Sequence, residues 1–290
     1  RDVFVSHTHM DHFVGFDWLL RVCLGRDMAL RLFGPPGLIE QVGHKLRAYS
    51  WNLLEGYENE LSFAVAELHP GGQGRRAVFR LRNGFARSDE GEASFPAGLL
   101  FEEGNLRASA AVLDHGIPCL GFALEERWHV NIHKNRLDEL GLGKGPWLRE
   151  LKALVLVEAP DATPITARWR EADENVERRF NLGFLKRTIL EVVRGDRIAY
   201  VTDVVWSEAN AAAITALARG AELLFIEAPF LDRERSRAAA RRHLTARQAG
   251  TLARLAGVRR VVPFHFSPRH AGEEAALRLE LEAAFAGDRP

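Results

Sequence analysis

The chain has 290 residues, 47% hydrophobic and 27% charged, the balance of a globular protein able to bury a sizeable core. Its 39 basic and 39 acidic residues cancel, so any site for a polyanion must be local rather than a property of the whole surface. Two cysteines, Cys23 and Cys119, exclude a disulfide framework and a cysteine-built zinc module and fit a reducing cytoplasm, and no apolar run has the length of a membrane span.

The stretch DVFVS (2–6) predicts a strand that delivers HTHMDH (7–12) at its C-terminal end. The chain begins on Arg1 and enters this strand at once, which reads as the loss of strands that would precede it. A helix is expected over 15–25, a strand over 29–35, and a helix over 35–49 with proline in its first turn, the rhythm of an α/β protein. From 61 onward the pattern turns to short strands at 62–68, 77–82, 99–103, 107–115 and 118–126, with surface loops at 69–74 and 83–98. Residues 132–152 read as helical, interrupted at Gly145 and Pro146, and 165–180 as an exposed loop or helix. Further on come a hairpin (188–203), a helix (207–220), a strand (221–230), a helix capped by Thr245 (245–257), a strand (258–266) and a closing helix (272–285). With no linker composition, these elements suggest one layered domain over 1–290.

His7, His9, Asp11 and His12 carry the strongest chemical signal. Side chains alternate along a strand, so His7 and His9 leave it on one side, with Asp11 and His12 following at the turn. Two ligand sets leaving one short loop suit two metal ions about 3.5–4 Å apart. Imidazole and carboxylate without thiolate favour zinc, with manganese or iron as alternatives. The competing reading is a surface histidine cluster or a capping loop. His115, Asp203 and His265 each close an apolar strand further on, at the edge where α/β proteins place their sites.

HTHMDH, the late aspartate and the late histidine resemble the metallo-β-lactamase superfamily, and the tail from His243 to His270 resembles ribonuclease Z, which trims tRNA 3′ ends. Residues 113–126 resemble the stretch bearing that family's third histidine, 137–152 its RNA-gripping arm with Gly145-Pro146 at the GP motif, and 221–230 the strand bearing its glutamate. The resemblance implies a four-layer αβ/βα sandwich with a dinuclear site at one edge and an arm at about 128–152. It implies that His7, His9 and His115 bind one zinc ion and Asp11, His12 and His265 the other, with Asp203 bridging. Asp11, Glu227 and His243 would form the catalytic set. A hydroxide between the metals would attack the phosphate, and Glu227 with His243 would deliver a proton to the departing oxygen. Two other readings stay open: Glu227 only orients a ligand histidine, and His243 merely precedes the helix cap.

The resemblance also implies precursor tRNA as substrate and a homodimer. Arg241 and Arg242, in the basic run 233–242, are the best local contacts for an RNA backbone, with Gly145 and Pro146 in the arm. His129 and His133 have metal-like spacing on an expected helix but lack a third ligand, and read as surface residues. Two departures bear on the substrate. Ile226-Glu227-Ala228-Pro229 stands where the family has His-Glu-Ala-Thr, and Thr202-Asp203-Val204 where it has Gly-Asp-Thr. They leave room for a hydrolase of a small phosphodiester, lactone or thioester on the same fold. A non-catalytic RNA-binding or scaffolding relative is a second alternative, but it would be expected to have lost metal ligands, and all seven candidates are present.

Overall fold

The computed structural model describes residues 1–171 and 174–287, which divide into two compact units. The first comprises residues 1–101, 108–124 and the chain from 197 on. It holds a five-stranded sheet in the order Asp2–Phe4, Met28–Gly34, Leu61–Leu68, Gln73–Arg80, Arg87–Ser94. The first three strands are parallel and the last two antiparallel. A six-stranded sheet runs Arg260–Phe264, Leu223–Glu227, Arg197–Val201, Pro118–Glu126, Leu106–Asp114, Leu99–Glu103.

Side-chain alternation explains the layers. Leu30, Leu32, Phe63 and Val65 of the first sheet pack with Phe16, Leu20, Ile39, Val42 and Leu46 from the helices Gly15–Cys23 and Leu38–Arg47. Their strand neighbours Phe33, Ala66 and Leu68 face the opposite way and join Leu100, Ala108, Ala110, Leu120 and Phe122 of the second sheet. Beyond that sheet, Val201, Leu224 and Ile226 meet Ile214, Leu252 and Leu277 from the helices Glu208–Leu217, Ala246–Ala256 and Glu274–Ala286. Helix, sheet, sheet, helix is the four-layer arrangement expected.

The second unit comprises residues 102–107 and 125–196 and has its own core, including Val130, Leu137, Trp147, Leu151, Ile165, Trp169 and Leu185. Within it, Trp128–Ile132 pairs antiparallel with Leu190–Arg194, and Pro164–Glu171 with Glu174–Asn181. The arm expected at 128–152 lies inside this unit. A side chain at Gly145 would collide with the Arg168 carbonyl oxygen, so packing alone demands glycine there. Pro146 follows, exposed, at the start of the helix Trp147–Leu156.

Four local expectations change. Residues 165–171 and 174–180 lie in two antiparallel strands rather than a loop or helix, because Ile165, Ala167 and Trp169 alternate inward; 172 and 173 lie outside the described residues. The two strands expected to pair over 188–203 both form, but Leu190–Arg194 pairs with Trp128–Ile132 and Arg197–Val201 with Leu223–Glu227. The loop over 83–98 contains the edge strand Arg87–Ser94, whose polar sequence hides it from apolar patterning. His129 is in a strand and His133 caps the helix Lys134–Glu139, so the two share no helical face. No helix among the described residues is long and apolar enough to cross a membrane.

Candidate metal centre

The histidine motif sits where the strand Asp2–Phe4 ends and a single helical turn, Met10–Phe13, begins. His7 and His115 are buried, His12 is half-buried and His9 is exposed. Asp203, at the end of the strand Arg197–Val201, comes to the middle of them. Its Oδ2 lies 3.6 Å from His7 Nε2, 3.3 Å from His12 Nε2 and 3.6 Å from His115 Nε2. Its Oδ1 lies 3.3 Å from His265 Nδ1. His7, His9, His115 and Asp203 bring one ligand atom each within 4.8 Å of one another, a group that could hold a metal ion. Of the other expected set, His12 and His265 meet at the same aspartate with ring centroids 5.4 Å apart, and Asp11 lies 3.5 Å from His12 Nε2.

The fit to a cation rests on an unpaired atom. His7 Nε2 is buried with no hydrogen-bond partner, which is costly for an imidazole nitrogen unless its lone pair meets a positive centre. Burial pushes the His7 pKa down to about 4 despite Asp203, leaving the ring neutral as a ligand must be. Burial also lowers His115. His12 is raised by its bond to Asp203, and His265 by its bond to Glu227. Burial alone would raise the Asp203 carboxyl, but hydrogen bonds from His12 and Thr202 and the charge of His265 hold it far below the usual carboxylate range.

Glu227, wholly buried at the end of the strand Leu223–Glu227, organises the other side. Its Oε1 accepts the backbone N–H groups of Val204 (2.9 Å) and Leu244 (3.0 Å). Its Oε2 lies 2.7 Å from His243 Nδ1 and 3.3 Å from His265 Nδ1. Burial would raise this carboxyl, yet the bonds from the two histidines hold it below the ordinary glutamate range. Asp203, Glu227, His243 and His265 also satisfy the distance condition for a metal group, but every Glu227 oxygen already has partners, which favours an orienting role.

Three supports went unmarked in the sequence. Thr202 Oγ1 donates to Asp203 Oδ1 at 2.6 Å, the Cys119 thiol to the Asp203 carbonyl at 3.1 Å, and His115 Nδ1 lies 2.8 Å from the Arg242 carbonyl. Thr202 could have been found from its place beside a strand-end aspartate; the other two carry no local signal. Arg242 is half-exposed, 3.8 Å from Asp114, while His69 and His270 have structural carboxylate partners in Glu67 and in Glu234 with Glu273.

No protein-family model matches the chain. It is 33% identical over 282 residues to ribonuclease Z of Deinococcus radiodurans, covering 97% of this chain and 79% of that one. The chain belongs to the ribonuclease Z family. Two solved structures share the fold of this ribonuclease Z homologue. The short form of human tRNase Z aligns with a TM-score of 0.50 at 18% identity, over 93% of this chain and 73% of that one. The metallo-β-lactamase fold protein YhfI of Bacillus subtilis aligns with 0.52 at 15% identity, over 99% and 71%. The four layers are therefore those of the metallo-β-lactamase fold.

Proposed function

We propose that this chain is a metal-dependent endoribonuclease that removes the 3′ trailer of precursor tRNA. The observation that carries the reading is the Asp203 carboxylate, held 3.3–3.6 Å from His7, His12, His115 and His265 in a member of the ribonuclease Z family. His7, His9 and His115 would hold one ion, Asp11, His12 and His265 a second, and Asp203 both. Nitrogen and oxygen donors alone favour zinc, with manganese or iron as substitutes. Two such ions, when bound, offset the charge that builds on the phosphate and make water acidic enough to attack at neutral pH.

The protein's own part begins with the leaving group. The P–O3′ bond breaks, the water oxygen stays on the trailer as a 5′-phosphate, and O3′ leaves with a proton. His243 suits that delivery: Glu227 binds its Nδ1 and fixes the ring, so Nε2 is the atom left to donate. Arg241 and Arg242, directly before His243, supply charge for the RNA backbone, and the unit carrying Gly145 and Pro146 would grip the RNA. The stripe of exposed Met10, Val14, Trp18 and Val22, spaced by four, supports a homodimer. Two free, buried cysteines suit a reducing cytoplasm.

Incubation with zinc and a trailer-bearing precursor tRNA tests the reading. Cleavage that Asp203→Ala abolishes together with metal content supports it; hydrolysis of bis(p-nitrophenyl) phosphate without any RNA cleavage sinks the tRNA assignment. His243→Ala should slow RNA cleavage by roughly 10²–10⁴. It should slow p-nitrophenyl ester hydrolysis far less, because nitrophenolate leaves without a proton.

A further inference from the structure

A cavity of about 350 Å³ opens on His243 and His265, between the loop after Glu227 and the loop after Phe264. That volume is at the low end for ligand pockets, which run roughly 300–1,000 Å³. Arg237, Arg241 and Arg269 line it. Arg237 Nε and Arg269 Nε share one acceptor, Glu234 Oε1, at 3.6 and 3.2 Å. The Arg241 side chain makes no ion pair or hydrogen bond among the described residues. Three guanidinium groups against one carboxylate leave a surplus of positive charge beside the two histidines. Phe230 adds an apolar wall, its ring 6.1 Å from that of His243. Cation, aromatic face and a histidine able to give a proton are the three things one nucleotide unit needs: a partner for phosphate, a partner for base or ribose, and a partner for the 3′ oxygen.

We propose that this cavity is the subsite for the nucleotide on the 5′ side of the cut, the one whose 3′ oxygen departs, with Arg237 and Arg241 on its 5′-phosphate. The assignment of side rests on the reading above, in which His243 gives its proton to O3′. A group lining the same cavity as the proton donor then meets the strand that ends at that oxygen, not the trailer. The Arg241 guanidinium, without an ion-pair partner among the described residues, loses none of their contacts when it turns to a phosphate.

Two competitors of one short RNA sequence test this. One carries 5′-hydroxyl and 3′-hydroxyl ends, like the mature end; the other carries a 5′-phosphate and a 3′-deoxy end, like the trailer. They are assayed against cleavage of precursor tRNA by the metal-loaded wild type, Arg241→Gln, and Arg237→Gln with Arg241→Gln. Arg241→Gln breaks no ion pair and keeps the test valid if the double variant misfolds, which a thermal melt and metal analysis report. The expected result is a rise of about tenfold or more in the inhibition constant of the 3′-hydroxyl RNA, with the trailer-like RNA within about twofold. The salt slope of RNA binding should fall by about one per arginine removed. A loss confined to the trailer-like RNA, or no change for either, overturns the subsite while leaving the endonuclease intact. A wild type that hydrolyses bis(p-nitrophenyl) phosphate but does not cut the RNA overturns the proposed function and this subsite with it.

Discussion

Three residues around the centre hold left-handed backbone without being glycine: Asp203 (φ 42°), His265 (φ 60°) and Arg242 (φ 63°). Such conformations cost an L-residue roughly 1–3 kcal/mol and persist only where the surroundings impose them. At Arg242 the bend aims the carbonyl at His115 Nδ1, leaving Nε2 toward Asp203. Glycine adopts this bend freely, so Arg242→Gly should keep the His115 bond and stabilise the protein by about 1 kcal/mol. A melt of the purified variant tests this; a lowered midpoint with lost metal would mean that the arginine side chain, not the bend, seats His115. The ligand-type side chains were legible because their chemistry is rare in clusters. Their supports were not, since the Cys119–Asp203 contact joins residues 84 apart and the His115–Arg242 contact residues 127 apart.

At the level of elements, two devices fix the starts of helices, one of them beside the site. Thr245 accepts from Gln248 N–H while the Gln248 side chain accepts from Thr245 N–H, a capping box that starts the helix Ala246–Ala256 three residues after His243. Thr245→Ala should cost about 1 kcal/mol in urea unfolding, and an unchanged midpoint would show the cap to be redundant. Glu67 is fully buried and accepts from Gly37 N–H (3.1 Å) and Ile39 N–H (2.8 Å) at the start of the helix Leu38–Arg47, with His69 and Arg75 as its ionic partners. Removing it leaves those donors unpaired, so Glu67→Ala should cost roughly 3–5 kcal/mol in the same assay. The cap was readable from Thr245 and the apolar period behind it. The buried glutamate was not, because an acidic residue in a strand reads as a solvent-facing position until the packing is known.

For the whole molecule, the exposed stripe on the segment Met10–Cys23 stands beside exposed Tyr49, which lines one pocket with Trp18, and clustered exposed apolar side chains mark surfaces that meet partners. Trp18→Glu places a charge in its middle and should turn a dimer into a monomer by light scattering; a wild type already monomeric refutes the dimer. Metal ions that bind only the folded chain add to its stability, by about 4 kcal/mol at a thousand times the dissociation constant. Chelation should therefore lower the melting midpoint reversibly, and a midpoint indifferent to verified metal loss would contradict coupling between site and fold.

Sequence alone marked the ligand-type side chains and the order of most strands and helices, because these depend on local spacing: period two along strands, period 3.6 along helices, and ligand-type side chains at strand ends. The four-layer class came from the resemblance of whole motifs to the metallo-β-lactamase superfamily, not from spacing. Tertiary structure decided which strands pair, for Leu190–Arg194 and Arg197–Val201 adjoin in sequence yet join different sheets. It also made residues 125–196 part of a separately packed unit, turned Glu67 inward, and gathered four histidines around one aspartate. Pairing and burial depend on contacts between residues far apart in the chain, and no short stretch of sequence contains both halves of such a contact.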